Sequence, residues 1–228
     1  MLPYRIERTH NRHSRAVYRN DEIVIRLARG LTRTEEHSHV ADLVKRMQQI
    51  VEKDRKRKCI DPFRPLLENS SVIDIETANG NAHTFALVAG KRTKAVWDGQ
   101  DCNMKVGPKT NRSQLHRALW KTLSQKYKIE ILERVLLWND SMFRTQPADV
   151  RVRIASSQWG SCSPRNVITI NPALLFVPEH LLDYVIVHEL AHRKNHNHGK
   201  RFWSLVDKTF PQYLEARRSL RTYKLHQV

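Results

Sequence analysis

The spacing of apolar positions changes several times along the chain, and each change marks an element. Short alternating runs at Tyr4–Arg8, Ala16–Arg19 and Glu22–Leu27 predict strands, with Asn20-Asp21 as a hairpin turn. From about Thr34 to Lys53 the spacing lengthens to three or four, through Val40, Leu43, Val44, Met47, Ile50 and Val51. That predicts a helix with one buried stripe, capped by Thr32 or Thr34. The charged run Lys53–Lys58 suits the negative end of that helix dipole. Asp61-Pro62-Phe63-Arg64-Pro65 then reads as a linker. Strand patterning returns at Val72–Glu76, His83–Ala89, Thr93–Trp97 and Asn103–Val106. With turn signals at Asn79-Gly80 and Asp98-Gly99, these predict a β meander.

Gly107-Pro108 interrupts the pattern, and a module boundary is expected there. Residues 1–107 would form a β-rich module with one helix, and residues 108–228 a second domain. Leu115, Leu119, Leu123, Tyr127, Ile131, Val135 and Trp138 recur at helical spacing and suggest one long buried helix from about Asn111. Val150–Ile154 and Val167–Ile170 predict strands on either side of a compact turn at Trp159–Pro164. Pro178-Glu179 opens a further helix, and Leu181, Leu182, Tyr184, Val185, Ile186, Val187, Leu190 and Ala191 make it apolar nearly all round.

Composition adds a sign to this outline. Lys plus Arg outnumber Asp plus Glu by 40 to 23, a formal net charge of +17. Such a balance favours acidic partners, including nucleic acid and nucleotides, although a solvated basic face accounts for it equally well. Three widely spaced cysteines, Cys59, Cys102 and Cys162, are not a disulfide framework and fit a reducing compartment. The opening residues lack an apolar signal core, and no apolar run approaches the roughly 20 residues of a membrane helix. A cytoplasmic location without membrane attachment is the expectation.

Chemistry concentrates at His188–His198, which reads His-Glu-Leu-Ala-His-Arg-Lys-Asn-His-Asn-His. His188 and His192 are four apart, so a helix points both imidazoles to one side. Neutral imidazole is a good zinc ligand, and Glu189 stands where a zinc hydrolase keeps its general base. Buried in an apolar helix without a partner, these polar groups would be costly, and a cation supplies that partner. A catalytic zinc generally takes three protein ligands plus water. Downstream candidates for the third are His196, His198, Asp207 and Glu215. His198 gives His-Glu-x-x-His-x-x-x-x-x-His, the metzincin ligand spacing. It can reach the metal only if the helix ends and the chain turns back, which Asn195 in a left-handed conformation and Gly199 would allow. No methionine follows Met142, so the metzincin family proper is disfavoured. His196 is left as a bystander.

A wider set of residues resembles a known family. Trp159-Gly160-Ser161-Cys162-Ser163, the strand ending at Asn171, Pro178, the run Asp183–His192, Asn197-His198, Phe202-Trp203 and Pro211-x-Tyr213 occur in order over about 65 residues. Together they resemble the YgjP-like metallopeptidase domain family, related more distantly to SprT-like zincins. The resemblance implies an α+β fold, with a zincin-like core whose metal helix lies under a small sheet and a β-rich N-terminal extension. It implies one Zn²⁺ ion held by His188, His192 and His198, Glu189 as catalytic base, and Val167–Ile170 bordering a cleft where an extended peptide can pair. Gln158 stands where the family usually has arginine, and Arg193 and His196 where it more often has apolar residues. Some members carry a UTP pyrophosphatase label, so a nucleoside triphosphate is an alternative substrate, with Arg151, Arg153 and Arg165 able to hold phosphates. A third possibility is a nucleic-acid-associated protein with structural zinc.

Overall fold

The computed structural model describes residues 2–143 and 145–226, a mixed α+β chain. It forms two compact units, Met1–Arg57 and Lys58–Val228, so the boundary expected near residue 107 falls inside the second unit. The reason lies in the core. Phe63, Phe85, Cys102 and Met104 pack in one continuous cluster with Leu119, Trp120, Val185 and Phe202, so Gly107-Pro108 is a connector within a shared interior.

In the first unit, β1 (Tyr4–Arg8), β2 (Arg15–Arg19) and β3 (Glu22–Leu27) form a sheet in the order β1-β3-β2. Strands β2 and β3 are a hairpin turned by Asn20 and Asp21, both at positive φ, as a tight hairpin of this hand requires. Helix α1 (Arg33–Arg55) starts with a capping box between Thr32 and Glu35. Its Val44, with Val40, Leu43 and Met47, packs on Ile23, Ile25 and Leu27. Arg8 pairs with Glu36, and Arg5 with Glu7 and Glu22, so part of the basic opening is neutralised locally.

The second unit begins with β4 (Lys58–Ile60) and α2 (Arg64–Glu68), a short helix with Pro65 in its first turn, where a linker was expected. Strands β5 (Val72–Glu76), β6 (Ala82–Ala89), β7 (Lys94–Asp98) and β8 (Asp101–Val106) form a sheet in the order β5-β6-β8-β7. This is not a meander: β8 lies parallel to β6, and β7 is the edge. Burial explains the swap. Cys102 and Met104 of β8 are buried, whereas β7 presents Lys94, Val96 and Asp98 to solvent, so the strand with the more deeply buried side chains takes the interior.

The long helix expected from Asn111 is two, α3 (Arg112–Lys126) and α4 (Lys128–Met142), joined at Tyr127. His83 Nδ1 donates to the Gln100 carbonyl, which leaves Nε2 to accept the Tyr127 hydroxyl at 2.7 Å. The buried ring thus anchors the break, while the apolar spacing runs through both helices. Strands β9 (Asp149–Val152), β10 (Gly160–Cys162) and β11 (Val167–Ile170) form a third sheet, ordered β10-β11-β9. Two expectations change here. Part of the Trp159–Pro164 turn is strand, with the reversal made by Ser163–Asn166 and Asn166 at positive φ. And β11 is the central strand, so β10 and β9 are the edges.

A 3₁₀ turn (Pro172–Phe176) leads into α5 (Glu179–Ala191), followed by α6 (Lys200–Thr209), α7 (Tyr213–Leu220) and β12 (Tyr223–Leu225), which pairs in parallel with β4. Helix α5 is buried on nearly every side, consistent with its apolar circumference. Its register on α4 is fixed by a two-pronged ion pair: Arg134 Nε and Nη2 donate to the two Asp183 oxygens at 2.7 and 2.9 Å. The Trp138 indole N–H donates to the same carboxylate.

Candidate metal centre

The buried helix α5 carries His188 and His192 on one side, one turn apart, and ends at Ala191 with His192 as its cap. The chain then tightens into 3₁₀-type bonds, Arg193 N–H to the Leu190 carbonyl and Lys194 N–H to the Ala191 carbonyl. The reversal does not use a left-handed Asn195: among the described residues, only Asn20, Asp21 and Asn166 are non-glycine residues at positive φ. Asn195 contributes its backbone carbonyl instead, which accepts from His192 Nδ1 at 3.2 Å. Gly199, in extended backbone, starts α6.

This turn brings His198 back over the helix. Its Nε2 lies 3.1 Å from His188 Nε2, and one ligand atom from each of His188, His192 and His198 falls within 4.8 Å of the others. Two nitrogens sharing a tetrahedral ion at roughly 2.0–2.1 Å sit about 3.3 Å apart, so the spacing fits a first-row dication. The tautomers fit as well. Donation of the His192 Nδ1 proton to Asn195 leaves the Nε2 lone pair available, the outer-shell arrangement usual for a metal-binding histidine. His188 Nδ1 is buried with no hydrogen-bond partner among the described residues, so that ring lacks the equivalent support. Burial, and secondarily His192, His198 and Arg217, push the His188 pKa down to about 3. Burial also lowers that of His192, which favours the neutral imidazole a metal would need. The other third-ligand candidates, His196, Asp207 and Glu215, are exposed and lie outside this group.

Glu189 is buried beside the cluster, and in the metal-free chain burial pushes its pKa up to about 8; a cation beside it would favour the carboxylate form and bring that value down. It lies against edge strand β10. A Cβ added at Gly160 would sit 2.8 Å from Glu189 Cγ, 2.9 Å from Val185 Cγ1 and 3.0 Å from Glu189 Oε1. Only a residue without a side chain lets the strand approach the helix this closely. Trp159-Gly160-Ser161-Cys162 is therefore built against the carboxylate. Cys162 is half-buried, with its thiol pKa raised by desolvation and by Glu189, the opposite of what a thiolate nucleophile needs.

Three residues support the site through contacts that spacing alone does not specify. Buried Asn171 donates from Nδ2 to the Ala155 and Gln158 carbonyls and accepts at Oδ1 from Ala173 N–H, which holds the loop leading into β10. Only the backbone carbonyl of Gln158 enters this network; its side chain is exposed. Arg193 donates to Asn139 Oδ1, to the Thr145 carbonyl at 3.1 Å and to the Gln146 carbonyl at 3.0 Å, and lies over the Phe143 ring. It ties the end of the metal helix to the chain after α4. Trp203 stacks between His198 and Tyr213.

The YgjP-like metallopeptidase domain matches residues 12–223, nearly the whole chain. The chain belongs to that family. A YgjP-like metallopeptidase domain implies a divalent metal, and the three-histidine group supplies a donor set that suits one. The metallopeptidase zymogen of Pyrococcus abyssi abylysin, a crystal structure, aligns at 27% identity over 42% of this chain and 99% of its own, with a TM-score of 0.38. No curated protein matches. Among the described residues, no helix is long and apolar enough to cross a membrane.

Proposed function

We propose that the chain is a zinc-dependent peptidase in which His188, His192 and His198 hold one Zn²⁺ ion and Glu189 is the general base. The observation that carries this reading is the convergence of three imidazole nitrogens beside a buried carboxylate in a YgjP-like chain. When bound, zinc supplies Lewis acidity that lowers the pKa of a water molecule to about 7. Glu189 takes one proton from the attacking water and delivers it to the departing amine, so one water is consumed per amide bond cleaved. The free edge of β10, directly over Glu189, is suited to an extended peptide that pairs as an added strand and sets its carbonyl in reach. The arrangement of a metal helix beneath a small sheet is that of a zincin-like core. Glu189→Gln should abolish casein or peptide hydrolysis while metal content stays at the wild-type level. Undiminished hydrolysis by that variant refutes the assignment of the base.

A second reading takes an anionic partner. Arg117, Lys121, Lys128, Arg151 and Arg153 line a cleft of about 670 Å³ between α3 and β9. Because β11 separates β9 from β10, these cations favour a nucleotide or nucleic acid held away from Glu189 over a triphosphate in the metal centre. Binding of DNA that weakens steeply with added salt supports this reading. Chelator-sensitive release of pyrophosphate from UTP would instead move the substrate assignment to the metal centre.

A further inference from the structure

A second group of metal-ligating side chains lies away from α5. Asp61, His116 and His226 each offer one ligand atom within 4.8 Å of the others. They come from three distant points of the chain: the turn after β4, helix α3 and the segment after β12. The parallel register explains the meeting. Leu225 of β12 pairs with Ile60 of β4, which leaves the next residues, His226 and Asp61, side by side. His116 closes the group from α3, buried like Asp61, with side-chain exposures of 3% and 4%.

The internal hydrogen bonding of this group does not close. Trp120 Nε1–H donates to His116 Nε2 at 3.0 Å, so that nitrogen presents a lone pair. Asp61 Oδ1 lies 2.9 Å from the same nitrogen. If Nε2 carries a proton for Asp61, the indole N–H faces another N–H. If it does not, a carboxylate oxygen faces a lone pair. Asp61 Oδ2 is also buried with no hydrogen-bond partner among the described residues, and His226 Nδ1 lies 3.4 Å from it. A cation here would take the His116 Nε2 lone pair from the indole N–H, and it would satisfy the buried Asp61 oxygen that has no other partner among the described residues. Two imidazoles and one carboxylate are a donor set for a divalent first-row transition ion, zinc among them.

We propose that Asp61, His116 and His226 form a second site for a divalent transition metal, which clasps the C-terminal strand β12 to β4 and α3. The site shares no ligand with the His188 group, so its occupancy is independent of that centre. The competing occupant is a proton, which would leave a metal-free hydrogen-bonded triad.

The test is zinc content per full-length chain after loading with Zn²⁺ and removal of excess, for wild type, His226→Ala, His198→Ala and the double variant. His226→Ala should hold one equivalent fewer than wild type and keep wild-type hydrolytic activity. Added Zn²⁺ should raise the melting temperature of His198→Ala but not that of the double variant. Asp61→Asn, which keeps the side-chain volume, should repeat the loss of one equivalent and guards against a folding defect in His226→Ala. The readout is the difference between paired proteins, so failure of the His188 centre to bind zinc lowers the wild-type and His226→Ala totals alike and leaves their comparison intact. Equal zinc content in wild type and folded His226→Ala overturns the second site.

Discussion

Replacing Gly160 with alanine tests how tightly the candidate base is held. The added methyl would lie 2.8 Å from Glu189 Cγ, where ordinary contact begins at 3.4 Å, so strand and helix must separate by about 0.6 Å or Glu189 must turn aside. Overpacking of this kind costs ~1–3 kcal/mol. At roughly 2–4 °C per kcal/mol for a chain of this size, the melting temperature should fall by about 2–12 °C. The catalytic effect should be larger in proportion. A displacement approaching 1 Å at a reacting group costs on the order of 10²-fold, so kcat for peptide hydrolysis should fall by roughly ten- to a hundredfold. Metal content should not change, because Gly160 is not near a ligand atom in the way it is near Glu189. The assay pairs initial rates on a fluorogenic peptide with metal analysis and thermal melting. Wild-type kcat with an unshifted melting temperature would refute the claim that the glycine exists for the carboxylate.

Other outcomes follow from neighbouring contacts. Asp183→Asn removes the charge that two Arg134 nitrogens and the Trp138 indole address, and should cost about 2 kcal/mol in urea denaturation. Arg193→Met leaves Asn139 Oδ1 and the Gln146 carbonyl without the Arg193 donor and the Thr145 carbonyl with Asn139 Nδ2 alone, which should speed limited proteolysis within 145–147; unchanged cleavage argues against the tether. In chelated protein, the Glu189 pKa is raised from 4.5 to about 8, so its contribution is fully present below pH 4.5 and is lost as pH rises through 8. Glu189→Gln should therefore gain stability relative to wild type between pH 4.5 and 8 in the absence of metal, read by melting temperature. The His188 pKa is depressed from 6.5 to about 3, so its contribution is present above 6.5 and falls away toward pH 3, and chelated protein should soften progressively on that side.

Local signals were legible where one pattern implied one structure. The Asn20-Asp21 hairpin, the Thr32 cap and the largely apolar α5 follow from residue type and spacing alone. His188 and His192 required only a helix, and His198 only that the helix end. What spacing cannot carry is competition between elements. Nothing local at Tyr127 breaks a helix; the break comes from a hydroxyl drawn to His83, 44 residues earlier. The strand order β5-β6-β8-β7 depends on which of two similar strands buries more surface, a comparison across the sheet. The boundary at Gly107-Pro108 failed to appear for the same reason: a turn signal marks a local stop and is silent about whether the two sides share a core. Asn171 looked like the end of a strand, and its role in the loop before β10 exists only in three dimensions.

The three candidate ligands differ in how they are carried. His188 and His192 ride on a helix locked into the interior, whereas His198 sits on the exposed turn between α5 and α6. A metal ion bound there would be held by two nitrogens on a fixed helix and by one on an outer turn, so its exchange would depend on the short segment from Arg193 to Gly199. Loosening that segment should hasten metal exchange even where all three histidines are retained.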